Sequence, residues 1–253
     1  MRGFEVAVAA VFGLIVGSFL NVVIYRVPRG ESIVAPPSAC PRCGHRLSAW
    51  ENIPVISFLL LRARCRSCRE PISWRYPLIE VLGGTAFAAL AVRYSNPLLL
   101  AGLCLFAAVL IAEAFIDLDT RKLPRRIIYV GAPLSVALFL VESVRSGNVR
   151  MVEDAALGAL IAGAVFGVIH FVAPRSMGFG DVRFAAYIGI NLGFLGLATV
   201  VNFLYGAFIF GALFGVVFAL VKSKTLKVAI PFGPFMALAA FVSALFAGLI
   251  RVL

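Results

Sequence analysis

Charged side chains are scarce in this 253-residue chain: they make up 14% of it, and only 12 residues are acidic. A soluble domain of this length needs far more polar surface, and 62% of the residues here are hydrophobic. The chain also lacks a serine–histidine–acid set and a glycine-rich phosphate-binding loop, which argues against a serine hydrolase and against a nucleotide-binding enzyme. No small-residue cleavage pattern follows the first apolar run, so we expect that run to be retained as a helix rather than removed as a signal peptide.

Long apolar runs dominate the sequence and predict an all-α, polytopic membrane bundle of about eight transmembrane helices, because lipid forces the backbone to satisfy its own hydrogen bonds. The sixth and seventh runs nearly merge, and Asn202 with the nearby glycines indicates the turn between them. The runs cover roughly residues 4–25, 76–93, 97–116, 126–144, 153–173, 183–200, 202–221 and 229–250.

Most of the 23 basic residues lie in four segments that connect the apolar runs. With eight spans these segments share one side, and the positive-inside rule makes that side cytoplasmic and places both termini outside. The net charge of +11 is therefore interpreted as an orientation signal for a membrane protein, not as a nucleic-acid surface. The four segments are residues 26–75, the group Arg121, Lys122, Arg125 and Arg126, the pair Arg175 and Arg183, and the group Lys222, Lys224 and Lys227.

Two cysteine pairs with two-residue gaps, Cys40/Cys43 and Cys65/Cys68, lie in the first basic segment. Paired thiolates at this spacing can turn toward one ion, and two pairs make a tetrahedral structural zinc site that helps a loop with little apolar surface to fold. Two disulfides or four idle thiols are the alternatives, although a reducing cytoplasm disfavours disulfides. His45 is interpreted as a loop residue rather than a ligand, and the lone Cys104 as a small core side chain.

Two aspartates stand at the edges of apolar runs, where a carboxylate is costly and usually has a partner or a function. Asp117 ends the third run, and Asp181 closes the tetrapeptide Gly178-Phe179-Gly180-Asp181. On different helices they could converge and share one proton, the arrangement with which aspartic proteases hydrolyse peptide bonds. The glycines would let the backbone approach a neighbouring helix or an extended substrate.

Simpler roles for these groups stay open at this point. Asp117 could pair with Lys122 or Arg121, and Asp181 could be the N-cap of the sixth helix. Asp119 competes with Asp117, because residues two apart on a helix point about 200° apart and periodicity cannot choose between them. Glu80 and Glu113, in or near the runs, are interpreted as helix-packing groups, and His170, on an apolar face, as a satisfied core histidine rather than a catalyst.

Six sequence blocks in order resemble the bacterial type IV prepilin peptidases, also called leader peptidases, of pilus assembly and type II secretion. The resemblance covers nearly the whole chain. The blocks are residues 17–28 (Gly17-Ser18-Phe19-Leu20-Asn21 onward), the two cysteine pairs with Glu51-Asn52-Ile53-Pro54 between them, Arg75-Tyr76-Pro77-Leu78-Ile79-Glu80, Ile116-Asp117-Leu118-Asp119 with Leu123-Pro124, Gly178-Phe179-Gly180-Asp181, and Ile230-Pro231-Phe232-Gly233-Pro234-Phe235.

The resemblance implies a membrane aspartic endopeptidase with Asp117 and Asp181 as its catalytic pair, and it gives Asp119 no catalytic role. It implies cleavage of prepilin and pseudopilin leaders after a glycine, followed by N-methylation of the new N-terminus with S-adenosylmethionine. The cysteine loop is usually associated with that second step. The implied organisation is a first transmembrane helix in residues 1–25, a zinc loop in residues 26–75 and a transmembrane peptidase core in residues 76–253.

Three positions depart from the usual family pattern: Ala63 stands where glycine is common, Arg125 where an acidic or amide residue is common, and Arg183 where lysine is common. A peptidase without methyltransferase activity is therefore one alternative. A transporter that uses the intramembrane carboxylates is a second, and a zinc-stapled scaffold is a third. An intramembrane protease of the presenilin type shares the glycine–aspartate motif, but the cysteine loop and the first block argue against it.

Overall fold

The computed structural model describes residues 2–174, 177–221 and 231–248, and these residues form nine α-helices and no β-strand. They divide into two compact units, Met1–Ser95 and Asn96–Leu253. The helices are α1 (Arg2–Arg26), α2 (Ile56–Leu60), α3 (Arg75–Arg93), α4 (Pro97–Thr120), α5 (Arg125–Ser146), α6 (Arg150–Val172), α7 (Phe179–Gly193), α8 (Leu197–Val221) and α9 (Gly233–Leu245).

Six of these helices are long and apolar enough to cross a membrane, which confirms the all-α, multi-pass architecture. They are α1, α3, α4, α5, α6 and α8. The sixth and eighth predicted runs correspond to the shorter helices α7 and α9, of 15 and 13 residues. Residues 229, 230, 249 and 250 of the eighth predicted run lie outside the described residues, as do the basic residues Arg175, Lys222, Lys224, Lys227 and Arg251.

The break between α7 and α8 lies earlier than the sequence indicates. Asn202 is inside α8, so the predicted turn at that residue is wrong, and the chain turns at Gly196 instead. Gly196 has φ 109°, a conformation that side chains other than glycine rarely adopt. The Thr199 hydroxyl then donates to the Leu192 carbonyl at 2.6 Å, which satisfies a backbone acceptor at the end of α7.

Both units pack helices through small residues, which bring backbones together in a membrane where the hydrophobic effect between helices is weak. In the first unit α1 packs along α3, and a Cβ added at Gly17 would lie 2.7 Å from the Cα of Glu80. In the second unit α6 packs along α7, where Gly158 and Gly189 stand backbone to backbone. The second contact fixes the course of α7, which carries Asp181.

Capping interactions fix both ends of helix α4 and therefore fix the position of Asp117 along it. The side chain of Asn96 accepts from the N–H groups of Leu98 and Leu99 at 3.0 and 3.1 Å, and Pro97 occupies the first turn. At the other end Arg121 adopts the left-handed conformation (φ 54°) and donates its N–H to the Asp117 carbonyl. Asp117 therefore lies in the last turn of α4, beside α5 and α9, which pack against this helix.

Candidate metal centre and carboxylate site

The four cysteines of the first unit form one compact cluster. All their Sγ atoms lie within 4.8 Å of one another, with Cys40–Cys68 at 3.8 Å and Cys43–Cys65 at 4.0 Å. Zinc–sulfur bonds of about 2.3 Å in a regular tetrahedron place the sulfurs about 3.8 Å apart, so the set fits a tetrahedral ion. His45 is outside the cluster, as the sequence predicts.

The two cysteine pairs fold as a repeated turn. In the first turn the Cys40 N–H donates to the His45 carbonyl and the Gly44 N–H donates to the Cys40 carbonyl. In the second turn the Cys65 N–H donates to the Glu70 carbonyl, and the Arg69 N–H donates to the Cys65 carbonyl. Each turn needs one left-handed residue, which is Gly44 (φ 71°) in the first and Arg69 (φ 61°) in the second. Backbone N–H groups of Cys43 and Arg42 lower the pKa of the Cys40 thiol, whereas burial and the other three thiols raise the pKa of the Cys68 thiol, so the first thiolate of the cluster forms at Cys40.

A second group of polar contacts supports the cysteine turns. Glu51 is buried and accepts from both the backbone N–H and the hydroxyl of Ser48, at 2.9 and 2.6 Å, and these bonds lower the pKa of Glu51 to about 2. The His45 ring lies 3.2 Å from the same carboxylate. Glu51 therefore links His45, two residues after the first cysteine pair, to Ser48 in the middle of the loop.

Glu80 stabilises a strained turn in the first unit through a hydrogen bond. The sequence interpretation of Glu80 as a helix-packing group did not include this role. Its Oε2 accepts from the Val55 N–H at 2.7 Å. Val55 has φ 62° and ψ −47°, and the next N–H, of Ile56, donates back to the Pro54 carbonyl at 2.6 Å. A β-branched residue in this conformation costs of order 1–3 kcal/mol and persists where surrounding contacts fix it. The Glu80 carboxylate is one such contact.

In the second unit Asp117 is buried inside the helix packing, whereas Asp119 is exposed. Asp117 is 5% exposed, and its Oδ2 accepts from the backbone N–H of Gly233 at 2.8 Å. A Cβ added at Gly233 would lie 2.8 Å from the same oxygen, so the contact needs glycine. Arg121 interacts with Asp117 electrostatically, in agreement with the simpler interpretation of Asp117 as the partner of a basic residue. The direct hydrogen bond, however, comes from Gly233, the first residue of α9.

Asp181 occupies the third position of α7 and Gly178 is the N-cap, so Asp181 is not the N-cap residue that the simpler interpretation made it, although its side chain still caps the start of the helix. The Asp181 Oδ2 accepts the Gly178 N–H at 2.9 Å. A Cβ added at Gly180 would lie 3.1 Å from the Leu123 Cβ, which brings the first turn of α7 against the short connection between α4 and α5. The predicted role of the glycines in a close backbone approach is realised at Gly180.

These contacts bring Asp117 and Asp181 within electrostatic range of each other, although 63 positions separate them along the chain. Each carboxylate accepts a backbone N–H from the start of a helix, α9 for Asp117 and α7 for Asp181. Helix starts carry partial positive charge and favour nearby anionic groups. Two neighbouring carboxylates can hold one proton between them and so present an acid and a base together.

Three ionisable or polar residues surround this pair. His170 donates from Nδ1 to the Met177 carbonyl at 2.8 Å, as expected of a satisfied histidine, yet it also lies within electrostatic range of Asp181. Glu113, one helical turn before Asp117, is fully buried and interacts electrostatically with both Asp117 and Arg183. Sequence reasoning did not connect Gly233 or Glu113 with Asp117, because no local sequence pattern indicates that Gly233 contacts Asp117 or that Glu113 lies near it.

Fold and site define a class of protein: an all-helical membrane protein with two neighbouring carboxylates, one buried and one half-buried, and a four-cysteine cluster. Two family models match this chain: residues 11–94 match the bacterial peptidase A24 N-terminal domain, and residues 104–220 match the type IV leader peptidase family. No solved structure matches the chain at a significant level.

Curated relatives that carry the name prepilin leader peptidase/N-methyltransferase match across most of the chain, among them three from different organisms. The relative from Myxococcus xanthus is 39% identical over 219 residues, which are 85% of this chain and 63% of the relative. The one from Neisseria gonorrhoeae is 37% identical over 78% of each chain. The one from Pseudomonas putida is 32% identical over 95% of this chain and 90% of the relative. The chain therefore belongs to the type IV leader peptidase family.

Proposed function

We propose that the protein is a membrane aspartic endopeptidase that removes the leader of type IV prepilins and pseudopilins after a glycine, and then methylates the new N-terminal amine. The family membership supports the peptidase, and the names of the relatives support both activities. The single observation that carries the catalytic assignment is the pairing of Asp117 with Asp181, each with a backbone N–H on one carboxylate oxygen.

In the proposed mechanism one aspartate is ionised and the other protonated. The ionised carboxylate takes a proton from water as the water oxygen attacks the carbonyl carbon of the glycine. The protonated partner donates its proton to the carbonyl oxygen, which stabilises the tetrahedral intermediate. Collapse breaks the carbon–nitrogen bond: the departing amine receives the proton that the first aspartate took, and the second aspartate takes a proton back from a hydroxyl of the intermediate. The pair again holds one proton, and no acyl-enzyme forms.

We assign the four cysteines to a structural zinc ion, because the sulfur spacing fits a tetrahedral ion and four sulfurs leave no open position for catalysis. S-adenosylmethionine would supply the methyl group for the second reaction, and we assign residues 26–75 to that reaction and residues 76–253 to the peptidase. The cytoplasmic membrane, with the carboxylate pair at its cytoplasmic face, is the proposed location, since prepilin leaders are short and basic and the basic segments of this chain favour that side.

Incubation of the purified full-length protein with a synthetic prepilin, followed by mass spectrometry, tests both reactions in one run. The wild type should remove the leader, and with S-adenosylmethionine the product should gain one methyl mass. Asp117→Asn and Asp181→Asn should each lower cleavage by about 10²–10⁴-fold. Asp119→Asn is the matched control, because Asp119 is exposed two residues away, and it should cleave as the wild type does. Normal cleavage by Asp117→Asn or Asp181→Asn would overturn the assignment.

A further inference from the structure

Behind the carboxylate pair lies a cluster of buried polar atoms that the proposed mechanism leaves without a role. Both carboxylate oxygens of Glu113 are buried, and no described residue offers them a hydrogen bond. The Nε of Arg183 is in the same state. The Tyr187 hydroxyl lies beside Ser135 and within electrostatic range of Glu113, but no hydrogen bond of ordinary geometry reaches it. Glu113 lies on α4, and Arg183 and Tyr187 lie on α7; the two helices touch through the rings of Phe106 and Tyr187, whose centroids are 5.7 Å apart.

The cluster shares a face of α4 with Asp117, whereas on α7 it lies on a different face from Asp181, which is two residues before Arg183. Glu113 and Asp117 are four residues apart on α4, and Arg183 and Tyr187 are four apart on α7, so each helix presents two polar groups in adjacent turns. Cβ atoms at this spacing are about 5–6 Å apart. Glu113 interacts electrostatically with Asp117, Arg183 and Tyr187, which places it at the centre of the group.

Leaving such atoms without partners is expensive, since each buried unsatisfied polar group costs about 1–3 kcal/mol and charged groups cost more. The cluster has acceptors on Glu113 and donors on Arg183 and Tyr187, but they do not bond directly. Water is the smallest molecule that satisfies acceptors and donors together, and buried waters typically make about three hydrogen bonds.

We infer that Glu113, Arg183 and Tyr187 hold a buried water site one helical turn from Asp117, and that Glu113 is a positioning residue that supplies water to the carboxylate pair. The inference rests on the proposed role of Asp117 and Asp181, because peptide hydrolysis among apolar helices consumes a water molecule at that place. Glu113 does not touch the substrate in this arrangement; it acts through the water that it accepts from.

Steady-state cleavage of a synthetic prepilin by the full-length protein tests the role. Glu113→Leu keeps the volume but removes both acceptors, and it should lower kcat by about 10–100-fold with KM unchanged, since misplacing a reacting group costs up to about 10²-fold. Glu113→Gln keeps one acceptor oxygen and should recover most of the loss. Tyr187→Phe removes one hydroxyl and should lower kcat by about three- to tenfold.

Glu142→Leu is the matched control for general damage. Glu142 is also a buried carboxylate with one unpaired oxygen, but its Oε1 accepts from Asn96, which caps the opposite end of α4, about 30 Å from Asp117. This variant should keep wild-type kcat. Equal losses in Glu113→Leu and Glu142→Leu, equal losses in Glu113→Leu and Glu113→Gln, or wild-type kcat in Tyr187→Phe would each overturn the inference.

A readout independent of activity is oxidative labelling by hydroxyl radicals that X-ray radiolysis generates from bound water. Tyr187 is 2% exposed, so solvent radicals do not reach it and label on this residue reports an adjacent internal water. Wild type should carry the label and Glu113→Leu should lose it. An unlabelled Tyr187 in the wild type overturns the water site and leaves the proposed function standing. Cleavage by Asp117→Asn overturns the proposed function instead.

Discussion

The four thiols of the cysteine loop and the carboxylates of Asp117 and Asp181 are both clusters of acidic groups, but the chain assembles them by different means. The thiols converge because each pair is held in a local turn of about six residues, with one left-handed position in each turn. The carboxylates converge because three helices pack so that the ends of α4, α7 and α9 meet.

The difference teaches what each cluster depends on. A metal ion supplies the free energy that a loop without a large core lacks, so the thiol cluster should depend on occupancy. The carboxylate pair has backbone N–H groups already aimed at it, and its geometry should depend on helix packing rather than on any ligand. Substitutions and metal removal can therefore separate the two regions.

Loss of one thiolate gives the largest expected effect. Structural zinc contributes about 10–16 kcal/mol to small zinc-folded peptides, and a Cys65→Ser protein should therefore lose its metal and the fold of the loop. Metal content by mass spectrometry and methyl transfer to a pre-cleaved pilin should both fall to background, while cleavage stays within about threefold of wild type. Cys104→Ser is the matched control, because Cys104 is a half-buried thiol outside the cluster. Retention of metal by Cys65→Ser would refute the four-thiolate site.

A methyl group at Gly233 should disturb the carboxylate pair without touching a carboxylate. The added Cβ would lie 2.8 Å from Asp117 Oδ2 and 3.0 Å from its Cβ, so Gly233→Ala should displace Asp117 and lower cleavage by about 10–100-fold. Metal content should not change. Gly215→Ala is the matched control in the same unit, since an added Cβ there meets nothing within 4 Å. Equal cleavage by both variants would mean that the Gly233 contact does not position Asp117.

Sequence reasoning reached the thiol cluster more completely than the carboxylate pair, and the two means of assembly explain why. The spacing of Cys40, Cys43, Cys65 and Cys68 carries the geometry of a metal site in itself, and the structure places all four within 4.8 Å. Asp117 and Asp181 could be located at helix ends from apolar runs alone. Their catalytic roles stay a prediction, and the choice of Asp117 over Asp119 needed the family resemblance.

Contacts between distant segments account for what sequence reasoning missed. The Gly233 N–H on Asp117 spans 116 positions, and the Val55 N–H on Glu80 spans 25. Neither pairing has a local signature, because tertiary packing decides which polar groups meet. The turn between α7 and α8 was misplaced for a related reason: Gly196 and the Thr199 hydroxyl end the helix, whereas Asn202 continues it.

The left-handed position in the first cysteine turn offers a milder test of the thiol cluster. Gly44 has φ 71°, and an added Cβ would meet nothing within 4 Å, so the cost of Gly44→Ala is backbone strain alone. That strain is about 1–2 kcal/mol, which corresponds to about 5–30-fold weaker apparent zinc affinity because metal binding is coupled to folding of the loop. Competition with a chromogenic chelator measures the change. Arg69→Gly, at the equivalent position of the second turn, should shift the affinity in the opposite direction, and a matching loss there would contradict the argument.

Ala63 should give the smallest effect and the opposite sign. Ala63 has φ 57°, follows Arg62 at φ 51°, and stands where the resembling family usually has glycine. Its carbonyl accepts from Ile72 at 2.7 Å, so the strained residue joins the two ends of the segment that carries the second cysteine pair. Ala63→Gly relieves the left-handed strain but adds freedom to the unfolded loop, and the net gain should be about 0.5–1 kcal/mol. Slower zinc release to a chelator, by about two- to fivefold, is the expected result, with cleavage unchanged. Faster release would show that the alanine, despite its conformation, stabilises the loop more than glycine does.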